Sequence, residues 1–445
     1  MMKKFNSESK VRIYLLMILF FSLLYYLLCI FVKIDFFQAV AFYNVNDTFM
    51  DWYNCIIGYR GNPYAGETGT NYPALAVLYF KLCRFAIPQE VLDGNVDGLF
   101  RCQNAWIIFT LYNGILIWIF GVAVDHKLKL NYWDKMLFLA VCLFSFPVLF
   151  AFERGNIINL AFVLTFFFCC FYEDENKVLK ELALIALAIA AGIKIYPAIF
   201  GFLLLKKRKI KEGIRLVGYG LICFVCPFFL FGGLDAIRSF MRGILSFATN
   251  RSTVIGESAD SMVASLTAVP AVPAVTIMPD SYGYNFSFSN ICKVFREMSG
   301  IYVPDRFIRF LLVLICVMLF IIAFTVKESW KELLCYTLIM ILVPSFSGAY
   351  VLLFMLIPLV EFLNYQTEKK EQTGNRIFDF FYALLFLLLM TPLALPDVSY
   401  FDTNIQPGPL TGSFLCYFIC VFLLVLLLIF EGIKALISAC IGRQI

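Results

Sequence analysis

The sequence predicts an all-α, polytopic membrane protein, and three observations carry that class. Of 445 residues, 61% are hydrophobic and only 15% are charged, whereas soluble domains run at roughly 45–50% apolar and about 25% charged. The mean hydropathy of +0.83 implies more apolar surface than a soluble fold of this length can bury. The apolar residues also fall into long runs, the pattern of bilayer-crossing helices. Disorder is excluded, because its signature is low hydrophobicity. The 15 cysteines sit mostly inside apolar runs, as at Cys29 and Cys169-Cys170, without a paired CxxC arrangement. That pattern argues against a disulfide scaffold and against a zinc or redox site. One histidine leaves little material for histidine metal chemistry or a Ser-His-Asp triad. The net charge of +5 is carried by short interhelical loops and does not point to nucleic acid.

Twelve apolar runs read as membrane segments: 12–33, 104–124, 133–150, 156–172, 180–194, 196–205, 213–233, 306–325, 331–345, 349–363, 376–394 and 413–433. Several are shorter than the ~20 residues a crossing needs. The neighbours 180–194 and 196–205 read as a broken or re-entrant pair. The first run, Tyr14 to Val32, has no small-residue cleavage site after it and reads as a retained helix. Lysines and arginines set the orientation. Lys3-Lys4, Lys10, Arg12, Lys127, Lys129, Lys177, Lys180, the Lys206–Lys211 cluster, Lys327, Lys331, Lys369-Lys370, Arg376 and Lys434 all count to one side. That side is expected to be the cytoplasm, together with both termini. Three long connections, 34–103, 234–305 and 395–412, count to the outer side, so the chemistry is expected there.

The first outer connection holds Asn46-Asp47-Thr48-Phe49-Met50-Asp51. If this stretch is helical, Asp47 and Asp51 share one face with Cβ atoms ~5–6 Å apart. Such a pair repels and suits one member for proton transfer. The alternative is an Asp that caps the helix beside a solvated one. Tyr59-Arg60-Gly61-Asn62-Pro63-Tyr64 follows as a turn flanked by aromatics. Asn71-Tyr72-Pro73-Ala74 then opens an apolar stretch to about Ile87, interrupted by Lys81 and Arg84, which reads as an interfacial helix. Further on, Glu153-Arg154-Gly155-Asn156 and Lys194-Ile195-Tyr196-Pro197 place ionisable groups at the outer ends of segments. Charges held at a membrane boundary are costly and count as functional candidates. Arg154 and Lys194 either bind an anion such as a lipid phosphate or pair internally, for example with Glu153. The stretch 268–279, rich in proline, reads as an extended strap over the outer face.

Taken in order, these elements resemble glycosyltransferase family 87, integral-membrane enzymes of the GT-C superfamily that include polyprenol-phosphate-mannose-dependent mannosyltransferases. The matching pieces are Asp47 after the first helix, Gly61-Asn62-Pro63-Tyr64, Tyr72-Pro73-Ala74, Gly155-Asn156 and Lys194-Ile195-Tyr196-Pro197 with its following basic cluster. Asn285-Phe286-Ser287-Phe288 is similar to a later outer-loop element. The resemblance spans about residues 12–365. It departs at Ala74, where relatives carry a second proline, and at Ser345–Tyr350, where relatives often carry a histidine. It implies a GT-C-type fold and a single membrane glycosyltransferase domain over 1–445. It also implies an inverting hexosyl transfer, mannose favoured, from a polyprenyl-phosphate donor to a lipid or glycan acceptor at the outer face of a bacterial plasma membrane. By the resemblance Asp47 is the general base, with Asp51 as the fallback. Arg60, Tyr64, Tyr72, Arg154, Asn156, Lys194, Tyr196 and Asn285 are the expected substrate-binding residues. No metal or other cofactor is expected, since one phosphate charge can be matched by Lys or Arg. A transporter or flippase of lipid-linked sugars is the alternative; it would call for charges near the bilayer midplane.

Overall fold

The computed structural model describes residues 2–31, 48–66, 69–94, 96–249, 285–368, 376–393, 395 and 412–441. Asp47, the strap at 268–279 and most of the third outer connection lie outside the described residues. Regular structure among the described residues is helical, with one isolated antiparallel bridge between Asn285 and Gly348.

Among the described residues, six helices are long and apolar enough to cross a membrane: Glu8–Phe31, Gln103–Lys127, Ile210–Phe231, Asp305–Thr325, Ala349–Glu368 and Gly412–Ala435. A seventh crossing results if Tyr132–Phe144 and Phe146–Arg154, bent by 50°, are one span. The bend has a local cause. Ser145 is extended (ψ 147) and its hydroxyl donates to the Cys142 carbonyl at 2.7 Å, while Pro147 supplies no N–H to continue the ladder. The remainder of the twelve expected segments are short. Ile158–Phe171 has 14 residues, Lys177–Ile193 has 17, Ser329–Leu342 has 14 and Arg376–Met390 has 15. At ~1.5 Å per residue each falls short of a ~30 Å hydrocarbon core. The long helices carry exposed apolar side chains such as Phe20, Leu27, Trp118, Ile214, Leu221 and Phe310, the face a bilayer solvates.

The chain forms two compact units. The first comprises Met1–Val45, Val124–Glu153 and Tyr282–Ile445. Here Met2–Phe31 packs on Tyr132–Phe144 and Leu356–Glu368, and Asp305–Thr325 packs on Ser329–Leu342 and Gly412–Ile441. Ion pairs gather at one end: Arg12 with Asp134 (2.6 Å), Lys127 with Glu361 (2.5 Å), Lys129 with Glu368 (2.8 Å) and Lys331 with Glu431 (3.2 Å). Asn285 belongs to this unit. Its Oδ1 accepts from the N–H groups of Ser287 (3.0 Å) and Ser347 (2.9 Å), pinning the turn at Ser345–Gly348.

The second unit comprises Asn46–Ala123 and Arg154–Ser281. Its centre is Lys177–Ile193, packed on Ile158–Phe171 and on Ile210–Val225. Close approach to the latter depends on Gly192, where an added Cβ would lie 3.0 Å from the Cys223 carbonyl oxygen and 2.9 Å from Leu75. Between them the chain returns through the tight turn Tyr196–Gly201 and the short helix Phe202–Lys206. The first outer connection is itself mostly helical: Met50–Gly58, Ala74–Arg84, Gln89–Asp93 and Val96–Phe100. The expected interfacial helix is thus present as Ala74–Arg84. Its two cations reach out to the preceding stretch, where Arg84 caps the neighbouring helix Met50–Gly58. Arg84 donates to the Ile56 carbonyl at the end of Met50–Gly58, and Lys81 donates to the Gly61 carbonyl at 2.7 Å. Free C-terminal carbonyls and the negative end of the helix dipole favour such partners.

Candidate active site

The helix Met50–Gly58 starts abruptly. Phe49 takes a left-handed conformation (φ 60) and caps it without a side-chain hydrogen bond. Its carbonyl accepts from the N–H groups of Trp52 and Tyr53, each at 3.0 Å. The helix therefore begins after Asp47 and Thr48. The expectation that Asp47 and Asp51 share one helical face falls on Asp47, which lies outside the described residues; the helix that carries Asp51 starts only at Met50. Trp52 and Tyr53 are fully buried, against Phe109 and Phe100. Their anchoring leaves Asp51, in the positive first turn, on the flank of the helix with its side chain 20% exposed.

That flank meets the segment Arg154–Asn156. Gly155 makes the meeting possible. It has φ +62, and an added Cβ would lie 3.1 Å from both Phe49 Cα and Trp52 Cβ. Only glycine accepts that conformation and that proximity without strain. On either side of it, Arg154 donates to Asp51 Oδ1 at 2.6 Å and the Asn156 amide donates to Asp51 Oδ2 at 2.8 Å. Asn156 is buried, yet its polar atoms have partners. Its Oδ1 accepts from the Ile158 N–H at 3.0 Å, opening Ile158–Phe171, and its Nδ2 also reaches the Tyr72 hydroxyl at 3.3 Å. A buried amide so placed avoids the cost of unmade hydrogen bonds.

Tyr72 is fixed from below. The Tyr64 hydroxyl donates to the Tyr72 carbonyl at 2.6 Å, and the Tyr72 N–H reaches Thr70 Oγ1 at 3.4 Å. Thr70 in turn shares a 3.1 Å hydrogen bond with the buried Tyr59 hydroxyl. Above the Tyr72 ring lies the Lys194 ammonium, 4.1 Å from the ring centroid. Lys194 follows the last residue of Lys177–Ile193 in extended conformation and lies outside the six long apolar helices. Desolvation pushes the half-buried Lys194 ammonium down to about 8, and the nearby Asp51 charge works against that fall. One turn below Asp51, burial pushes the Cys55 thiol up to about 12. It is a neutral thiol at physiological pH, not a nucleophile.

Asp51, Tyr72, Arg154, Asn156 and Lys194 thus come together from four separate stretches of the second unit. Arg60 is not among them; it donates to the Gly94 carbonyl at 2.8 Å and is exposed. Tyr64 is a buried support, packed on Phe228 and Phe231. Tyr196 opens the tight turn just beyond Lys194. Asn285 lies in the other unit, and Asp47 lies outside the described residues. Sequence reasoning weighed Glu153 as the partner of Arg154 and missed Asp51, 103 positions away. It also missed Thr70, for which no signal stood out. Among the described residues no group of three or more His, Cys, Asp or Glu side chains could hold a metal ion.

The sequence model of glycosyltransferase family 87 matches residues 72–345, more than half of the chain. No curated protein and no solved structure matches it. The matched span contains Tyr72, Arg154, Asn156 and Lys194. Asp51 precedes that span but is bonded to two residues inside it. The chain belongs to glycosyltransferase family 87 and is a membrane glycosyltransferase.

Proposed function

We propose that the protein transfers a hexose, mannose favoured, from a polyprenyl-phosphate donor to a lipid or glycan acceptor, with inversion. The reaction takes place at the outer face of a bacterial plasma membrane, with both termini in the cytoplasm. The shorter helices are read as tilted or partial crossings that complete a GT-C-type fold of about twelve segments.

One observation carries this reading: an arginine, a half-buried lysine and a single carboxylate converge beside Tyr72 and Asn156. Among the described residues, Arg154, Lys194 and Asp51 leave one net positive charge. A sugar phosphodiester carries one negative charge, so the cluster matches the donor without a divalent ion. Arg154 supplies a planar fork for phosphate oxygens, and Lys194 supplies a point charge. Both Asp51 oxygens already accept hydrogen bonds, which suits Asp51 to holding Arg154 and Asn156 in place. The base role stays with Asp47.

In the transfer, the acceptor oxygen attacks the anomeric carbon on the face opposite the phosphate. Its proton passes to the Asp47 carboxylate as the new C–O bond forms. The old C–O bond breaks with its electron pair on the phosphate oxygen, releasing polyprenyl phosphate. Charge grows on that oxygen as the bond breaks, so Lys194 and Arg154 hold the transition state more tightly than the bound donor. General-base assistance of this kind contributes about 10²–10⁴-fold.

The test is equilibrium binding of polyprenyl phosphate to purified protein in nanodiscs. Arg154→Gln and Lys194→Gln are each expected to weaken binding by roughly ten- to a hundredfold, the loss of one charge-assisted hydrogen bond. Lys194→Arg is expected to keep most of the affinity. Unchanged affinity in the double Gln variant would remove the phosphate role from this cluster.

A further inference from the structure

The second unit holds a half-open cavity of about 520 Å³, within the size range of ligand sites, roughly 300–1,000 Å³. It lies between Lys177–Ile193, the returning segment Tyr196–Lys206 and Ile210–Val225. Its walls are apolar, with Leu187, Phe202, Leu205 and Val217 among them. Lys209 is the single charged residue of the lining. It opens because the return is short: Tyr196–Gly201 is a tight turn and Phe202–Lys206 has 5 residues, against 16 in Ile210–Val225.

Lys209, where the cavity meets the turn before Ile210–Val225, sits in a run of cations. Lys206, Lys207, Arg208, Lys209 and Lys211 lie within six residues. Glu173 faces part of this run, pairing with Lys209 (3.3 Å) and Lys207 (3.5 Å), while Glu181 and Glu212 engage Arg215 beyond it. Arg208 is exposed and holds φ 55, a conformation that costs an L side chain roughly 1–2 kcal/mol and that glycine adopts freely. Strain of this kind gathers at ligand clamps. The proposed donor-phosphate residue Lys194 is at the opposite end of Lys177–Ile193, about 25 Å away by helical rise. The cationic rim is therefore a second, separate anion-attracting locus.

We infer that this cavity binds an anionic glycerophospholipid, one acyl chain lying in the apolar cavity and the headgroup phosphate meeting the Arg208–Lys209–Lys211 rim. Charge complementarity selects the occupant. An apolar slot alone would take any chain, but a basic cluster at a helix end favours a net-negative headgroup over a zwitterionic one. The headgroup rim uses none of the sugar-transfer residues, although the far end of the cavity, at Ala191 and Ala198, lies close in the chain to Lys194; failure of the proposal would leave the sugar-transfer reading untouched.

The experiment is native mass spectrometry of the full-length, delipidated protein titrated with phosphatidylglycerol and with phosphatidylcholine of the same chains. Wild type is expected to retain phosphatidylglycerol preferentially. The triple variant Arg208→Gln, Lys209→Gln, Lys211→Gln is expected to lose roughly fivefold in affinity per charge removed. Gly213→Leu is a clean filler: Gly213 lines the cavity and an added Cβ meets nothing within 4 Å. It is expected to lose roughly tenfold or more, the effect of displacing two buried methylenes. Gly218→Leu, on the same helix outside the lining and also with open space, is expected to bind as wild type. Equal retention of the two lipids, or full binding by Gly213→Leu, would overturn the proposal. Displacement of phosphatidylglycerol by polyprenyl phosphate would overturn it as well and make the cavity part of the donor site.

Discussion

Lys194 combines three features: a half-buried ammonium, an aromatic face 4.1 Å beneath it, and a carboxylate close enough to oppose its loss of charge. Desolvation has the larger effect, so its pKa falls to about 8. The charged form is the one that attracts phosphate. Below about pH 8 Lys194 carries its proton and donor capture is complete; above it the charge is lost. The expected result is a kcat/KM for the donor that declines as pH rises through about 8, and a kcat that declines too but at higher pH, because bound phosphate holds the proton on Lys194. Lys194→Arg keeps its charge throughout and is expected to remove that decline while retaining activity. Gly155 gives a second prediction at this scale. Gly155→Ala places a methyl 3.1 Å from Phe49 and Trp52 at a positive φ. The expected cost is about 2–4 kcal/mol, combining left-handed strain with overpacking, read as a lowered midpoint of unfolding in detergent. Gly61→Ala, with nothing within 4 Å, is expected to be nearly neutral.

At the level of elements, Met50–Gly58 is only 9 residues long, too short to be stable by itself. Tertiary partners hold it: buried Trp52 and Tyr53 beneath, Arg154–Asn156 at its start and Arg84 at its end. Arg84→Gln is expected to speed amide exchange across Met50–Gly58, by roughly tenfold or more for the loss of one charged hydrogen bond. Exchange in Lys177–Ile193 is expected not to change. Much of this was legible in the sequence. The helix at Ala74, the break before Tyr196 and the candidate residues Tyr72, Arg154, Asn156 and Lys194 all stand in local patterns of turn residues and charge. The bond from Arg154 to Asp51 did not, because it closes 103 residues and no local period encodes it. The left-handed start at Phe49 was equally hidden, since Asn46-Asp47-Thr48 offers a conventional cap and a phenylalanine rarely takes positive φ.

For the whole molecule, hydropathy gave the class correctly but could not separate a short helix from a full crossing. Runs such as 156–172 are as apolar as any span, yet the helix Ile158–Phe171 stops at 14 residues. The charge pattern was more informative, because within the first unit the expected same-side residues Arg12, Lys127, Lys129 and Lys331 do gather at one end. The orientation itself is open to test. Reporter fusions that end near Gly66 are expected to be active outside the cytoplasm, and fusions that end near Arg208 inside it; the reverse would place the Asp51–Lys194 cluster on the cytoplasmic face. The central claim is sugar transfer from a polyprenyl-phosphate donor with Asp47 as the base. The most direct measurement incubates purified protein in nanodiscs with radiolabelled polyprenyl-phosphate sugars and a lipid-extract acceptor, running wild type, Asp47→Asn and Asp51→Asn side by side. The expected result is one donor consumed by wild type, a folded Asp47→Asn with turnover reduced at least about 10²-fold, and a smaller loss in Asp51→Asn through a misplaced Arg154. Wild-type turnover by Asp47→Asn, or no donor consumed by the wild-type protein, would contradict it.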